Sequence, residues 1–340
     1  MITAVLSALL AALLLSACGN KIAQNGQDPA AVETPGSTGD RLRIVATIFP
    51  EYDWVRNILG DRAQDVELTL LLNNGTDLHS FQPTADDILK ISDADLFLYV
   101  GGESDAWVED TLRDAVNRDM TVINLLDVLG DRVREEEIVE GMEAEEEHHD
   151  HEDADHGDEE EPEYDEHVWL SLKNASVLCD AITDALDQID PDGASVYDAN
   201  AAAYKERLTA LDADYRKTAE SASEKTLLFA DRFPFRYLAD DYGLRYYAAF
   251  VGCSAETEAS FETIIFLAGK TDELALPAIL TIDGSDQRIA KTVRDNTKNK
   301  DQAILTLNSM QSTTDDDIRN GADYLGIMTE NLEVLKKALR

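Results

Sequence analysis

The chain is short of positive charge. Its 340 residues carry 29 Lys and Arg against 69 Asp and Glu, a formal net charge of -40. Such a charge opposes contact with nucleic-acid phosphates and with anionic lipid headgroups, so no nucleic-acid partner is expected. Long apolar runs are also missing. The one near the start, residues 2–17, is too short to span a bilayer comfortably. No His-Glu-x-x-His helix and no Gly-x-Ser-x-Gly elbow occurs, and catalytic zinc needs an open position, an activated water and a base. A zinc hydrolase is therefore set aside, and no enzymatic activity is expected. Cysteine is scarce, with Cys18, Cys179 and Cys253 alone. If Cys18 is modified, the other two either pair or stand as buried thiols. What is present is a hydrophobic content of 44%, ample for a core, so the acidity is not a sign of global disorder.

The acidity is concentrated. Residues 135–166 read EEEIVEGMEAEEEHHDHEDADHGDEEEPEYDE, without Lys or Arg, and hold four of the six histidines: His148, His149, His151 and His156. Blocks of like charge repel and stay solvated. Acid content alone does not account for the histidines, and His-rich tracts read as metal binding, because imidazole suits zinc and its neighbours. The tract is expected to be a disordered loop that takes up metal at auxiliary positions. Directly after it, Asp165-Glu166-His167-Val168-Trp169-Leu170 returns a histidine to an apolar context.

The N-terminus has the look of an export signal. Residues 2–17 have the length of a signal-peptide core and end in Leu15-Ser16-Ala17-Cys18, the small-residue pattern before a lipidated cysteine. No Lys or Arg precedes the run, a departure from such leaders. Residues 1–18 are thus expected to be a lipoprotein signal segment, with lipidation at Cys18. Residues 19–40, rich in Gly, Pro, Ser, Asn and Gln, read as a flexible linker. The mature protein would be extracytoplasmic and held to the membrane by its lipid, at the cell surface or in the periplasm.

From Arg41 onward short apolar strands alternate with amphipathic helices. Strands are expected at 43–49, 66–72, 96–100 and 121–125, and again at 226–230, 245–250, 278–282 and 303–307. Helices fall between them, among others at 54–59, 85–91, 106–117, 258–267 and 287–296. Nearly all-apolar strands alternating with helices indicate an α/β fold with parallel sheets. The expected architecture is two four-stranded lobes, 41–192 (with the acidic loop 135–166) and 222–340, joined by a long rigid helix in 193–221. Tyr197, Tyr204, Leu208, Leu211 and Tyr215 would line one face of that helix, about 40 Å long at 1.5 Å per residue. A last helix, 315–339, should cap the second lobe.

These residues carry a family resemblance. Asn74-Gly75-Thr76-Asp77-Leu78-His79-Ser80-Phe81-Gln82-Pro83-Thr84 resembles the Gly-x-x-x-His-x-x-x-Pro segment of the zinc/manganese-type solute-binding lipoproteins of ABC importers. Residues 94–102 and Trp107-Val108-Glu109 are similar to the stretch beyond that segment in the family, and the segment from Asp165 to Leu170 resembles the second ligand motif. Tyr197, Asn200 and Tyr204 fall as in the family's long helix, and residues 237–244 (YLADDYGL) resemble its second-lobe signature. The resemblance covers nearly all of residues 41–340. It implies metal ligation by His79 and His167, Zn2+ as cargo with Mn2+ as the alternative, delivery to an ABC permease, and action as a monomer. A surface adhesin that contacts host or matrix proteins is the other reading. Independently, His79 lies in a polar loop beyond a strand, where open α/β sheets bind ligands.

The sequence also departs from the family. The family's third ligand, usually His or Glu, falls at Arg232, which stays protonated and cannot ligate. The fourth position falls at Asn308, and no histidine follows His167. Asp231, beside the vacated position, is the expected oxygen donor. Asp283 and Glu51 come next, and each of the three is equally a possible ion-pair partner for Arg232. Cys253 is a soft donor, but a small buried residue is its expected role.

Overall fold

Eight short strands build two separate parallel sheets in the computed structural model, which describes residues 41–143, 163–254 and 258–339. The leader with Cys18, the linker 19–40, and His148, His149, His151 and His156 lie outside the described residues. The first sheet joins β1 (Leu42–Ala46), β2 (Val66–Leu70), β3 (Leu96–Tyr99) and β4 (Thr121–Asn124) in the order β2-β1-β3-β4. The second joins β5 (Thr226–Phe233), β6 (Arg245–Val251), β7 (Ala278–Ile282) and β8 (Ala303–Leu307) in the order β6-β5-β7-β8. All pairings are parallel. Each strand of a parallel sheet is covered on both faces, which is why β7, Ala-Ile-Leu-Thr-Ile, is buried at every position.

The covering helices of the first lobe are α1 (Phe49–Leu59), α2 (Ala85–Ser92), α3 (Trp107–Arg113) and α4 (Leu125–Leu129). Those of the second are α7 (Arg236–Tyr242), α8 (Phe261–Glu273), α9 (Arg288–Asp295), α10 (Asp315–Arg319) and α11 (Tyr324–Ala338). Between them run α5 (Leu172–Ile189) and the connecting helix α6 (Ala194–Ser221). The face of α6 anticipated from spacing is the buried one: Tyr197, Tyr204, Leu208, Leu211 and Tyr215. It packs on α1 and α5 and, further along, on α7 and α11.

Several boundaries differ from the sequence reading, and three of them shape the cleft or its support. The first strand stops at Ala46 because Phe49-Pro50 opens α1, where Glu51 accepts the backbone N–H groups of Thr47 and Ile48. A proline in the first helical turn forfeits no helix hydrogen bond. The fifth strand runs on through the charged pair Asp231-Arg232 to Phe233, with a register shift between Phe229 and Arg232. The bulge bends the strand end and re-aims its side chains. The single helix expected over 315–339 is broken in two. Gly321 turns the chain at φ 97°, and Asp323 starts α11 by accepting the N–H of Gly326. This break lets α11 reach both lobes: Tyr324 N–H donates to Asp53 in α1 at 3.0 Å, and its ring meets Trp54 edge-on at 5.2 Å.

Candidate metal centre

The carboxyl ends of both sheets face one seam, whose side chains come from loops beyond the strands, from the end of β5 and from the turn before α5. His79 follows β2 in a short turn whose first N–H groups need a cap, and Asp77 accepts the His79 N–H at 3.0 Å. His167 opens the turn before α5. The two imidazoles meet with Nε2 atoms 3.1 Å apart. His167 is fully buried, and the side chain of His79 is 9% exposed.

The far side of each ring is held. His167 Nδ1 lies 3.0 Å from Asp165 Oδ1, which also accepts the His167 backbone N–H at 2.9 Å. A carboxylate only accepts, so in the neutral ring the proton sits on Nδ1 and the Nε2 lone pair is free to face a metal. His79 Nδ1 lies 2.8 Å from Ser104 Oγ and 3.4 Å from Glu166 Oε2. Glu166 itself accepts the Ser104 N–H at 2.9 Å. Burial works against its ionisation, but the bonds from His79 and Ser104 prevail and hold its carboxyl below the usual range. Glu166 fits there because residue 102 is glycine: an added Cβ would lie 2.3 Å from Oε1. Behind it Asp105 is pushed up to about 7, by burial first and by the Glu166 charge. Glu51 reaches about 8 for the same reasons, burial and then the charge of Asp105.

At 3.1 Å the two Nε2 atoms can share one proton as a hydrogen bond or both turn their lone pairs to one cation. Two imidazole nitrogens on one tetrahedral zinc are about 3.3 Å apart, given Zn–N bonds of about 2.0–2.1 Å. The donors therefore fit a borderline-soft divalent ion such as Zn2+.

The sequence candidates for further ligands separate. Asp231 stays outside the histidine pair: its oxygens accept the N–H groups of Arg232 at 3.0 Å and Ile282 at 3.4 Å. Asp283 is saturated by the N–H and hydroxyl groups of Ser309 and Ser312. Glu51 is committed to the start of α1. Asn308 is tied to Met310 and Asn331. Arg232 does form an ion pair, but with Asp77 at 2.6 Å rather than with any of the three carboxylates anticipated. Burial opposes ionisation of Asp77; the charges of Arg232 and His79 win and hold its carboxyl low. Asp77, Asp231, Arg232 and Asp283 line a polar cavity of about 450 Å³ beside the histidines.

The residue that does join the pair is Cys253, beyond the end of β6. Among the described residues, His79, His167 and Cys253 form the one group of three potential ligands whose donor atoms all lie within 4.8 Å of one another. Both Cys253 and Cys179 are free thiols. Burial, reinforced by Glu136, Asp165 and Glu166, pushes the Cys253 thiol far up; a bound cation reverses that balance. Gln311 was also not anticipated. Its side-chain nitrogen lies 3.4 Å from His79 Nε2, and nothing local in Asn308-Ser309-Met310-Gln311 announces it.

The family model for the periplasmic component A of the zinc-uptake complex, ZnuA, matches residues 44–338. The chain belongs to this family. It is 32% identical over 334 residues to zinc-binding lipoprotein AdcA of Streptococcus pneumoniae, covering 98% of this chain and 60% of that protein. It thus spans less than two thirds of that relative's length. It is 30% identical to the high-affinity zinc uptake system protein ZnuA of Bacillus subtilis, covering 96% of this chain and 94% of that one. The solved zinc-bound ZnuA-like domain of S. pneumoniae AdcA superimposes with a TM-score of 0.67 at 28% identity, over 88% of this chain and 99% of that one.

Proposed function

We propose that the chain captures zinc outside the cytoplasm and hands it to an ABC permease, without catalysing a reaction. The observation that carries this reading is the imidazole pair: two Nε2 atoms 3.1 Å apart, each ring steadied through its other nitrogen. Nitrogen donors favour zinc over manganese, which prefers oxygen ligands. Relatives named for zinc binding and zinc uptake support the cargo. The reading includes a monomer tethered by a lipid on Cys18, in keeping with the lipoprotein name of the pneumococcal relative. The loop histidines His148, His149, His151 and His156 would add weaker sites that concentrate metal near the cleft.

Titration of the purified chain against a competing chelator tests the reading. One tight zinc equivalent is expected. His79→Ala and His167→Ala should each weaken it by about 100-fold or more, since a protein zinc site shares roughly 10–16 kcal/mol among its ligands. A folded variant of either kind with parental affinity removes that histidine from the site.

A further inference from the structure

Arg232 occupies the position where a third ligand was expected, and its guanidinium is engaged twice. It donates to Asp77 at 2.6 Å and to the backbone carbonyl of Ser254 at 3.2 Å. The second bond holds the residue next to Cys253. Further contacts bring that turn inward. The Cys253 N–H donates to Glu136 Oε1 at 3.3 Å, tying it to the start of the acidic segment. Residue 252 is glycine, and its backbone passes so close to the His167 ring that an added Cβ would sit 2.9 Å from Cε1. The thiol is free and lies with the two histidines in the cluster whose donor atoms fall within 4.8 Å. Nitrogen and sulfur on one tetrahedral zinc are about 3.6 Å apart, given Zn–N of about 2.0–2.1 Å and Zn–S of about 2.3 Å. Asp231 and Asp283, the two carboxylates of the adjoining cavity wall in the second lobe, are committed to backbone and hydroxyl groups.

We propose that Cys253 is the third protein ligand, closing a two-histidine, one-cysteine site in which Arg232 positions the thiol instead of ligating. The inference rests on the reading of His79 and His167 as a metal site. On binding, the S–H bond is exchanged for an S–metal bond and the proton leaves to solvent. A thiolate makes the site softer than one of imidazole and carboxylate. It selects Zn2+ and Co2+ and rejects Mn2+.

Cobalt reports this directly, because a cobalt–thiolate bond absorbs intensely in the near ultraviolet by charge transfer and cobalt–imidazole bonds do not. The full chain loaded with one equivalent of Co2+ should show that absorption together with the visible bands of a tetrahedral ion. Cys253→Ser should lose the charge-transfer absorption and bind zinc about 10- to 100-fold more weakly, with a smaller zinc-to-manganese preference. Zinc should also protect the Cys253 thiol of the unmodified chain from alkylation by iodoacetamide. A cobalt complex that depends on His79 and His167 but lacks thiolate absorption overturns the cysteine ligand and leaves the histidine site standing. So does a Cys253→Ser variant with unchanged affinity. Failure of the unmodified chain to bind zinc or cobalt overturns both.

Discussion

Asp165 offers a sharp test of the proposed site, because it would act on a bound metal only through His167. Its Oδ1 accepts both the Nδ1–H and the backbone N–H of that residue, at 3.0 and 2.9 Å, and its side chain is 4% exposed. The carboxylate sets the tautomer, fixes the ring plane and raises the basicity of Nε2. Asp165→Asn keeps an acceptor oxygen of the same shape and removes the charge, so the ring stays in place while Nε2 becomes a poorer donor. Asp165→Ala removes both effects. Loss of such a partner costs about 10- to 100-fold in metal affinity, or about 1.4–2.7 kcal/mol. The asparagine variant should fall near the low end and the alanine variant near the high end. The fold should persist in both, because the backbone bonds of Asp165, from its own N–H to Arg134 and from the Tyr237 hydroxyl, do not involve the side chain. Chelator-competition titration at fixed pH reads the difference. Parental affinity in both variants would show that Asp165 does not orient a metal-binding imidazole.

Gly252→Ala should disturb the same ring from the other side. The new Cβ must displace the His167 imidazole, so zinc affinity should drop while far-ultraviolet circular dichroism stays unchanged; equal affinity would mean the turn yields instead. Replacing His148, His149, His151 and His156 together by serine should abolish the weaker zinc equivalents and spare the tight one, and loss of the tight one in calorimetry refutes the division. Glu51 predicts a pH effect on stability. Its carboxyl is raised from 4.5 to about 8 in the folded chain, so between those values the folded state holds a proton that the unfolded state has released. Its contribution is complete below about pH 4.5 and declines as pH rises toward 8, by on the order of a few kcal/mol. Glu51→Gln cannot ionise. Its stability relative to the parent should therefore improve steadily from pH 5 to pH 8.5 in urea unfolding, and a difference that ignores pH refutes the assignment.

Local pattern was enough to place the elements. All eight strands lie where short apolar runs stand between helical periods, because a strand buried on both faces has no polar alternation to hide it. Errors occurred at ends, where a local rule met a tertiary one. The charged pair Asp231-Arg232 signals a loop by composition, yet it stays in β5 because a bulge turns it into the cleft. The spacing of Ile318, Ala322 and Leu325 is helical, yet Gly321 and the Asp323 cap split the segment. His79 and His167 were legible because each sits in a recognisable motif, one beyond an apolar strand and the other at the head of the apolar run 168–170.

The rest of the site was not written locally. Cys253, Gln311, Ser104 and the Asp77 partner of Arg232 lie on different loops, and single residues on loops carry no periodicity. The sequence alone determined two parallel sheets, a connecting helix and a histidine pair, since burial and spacing act over a few neighbouring residues. Which further potential donor comes nearest that pair was decided only by the tertiary structure. It depends on how the carboxyl ends of two sheets are set against each other, and on an arginine that spends its charge on Asp77 and leaves the cysteine turn facing the histidines.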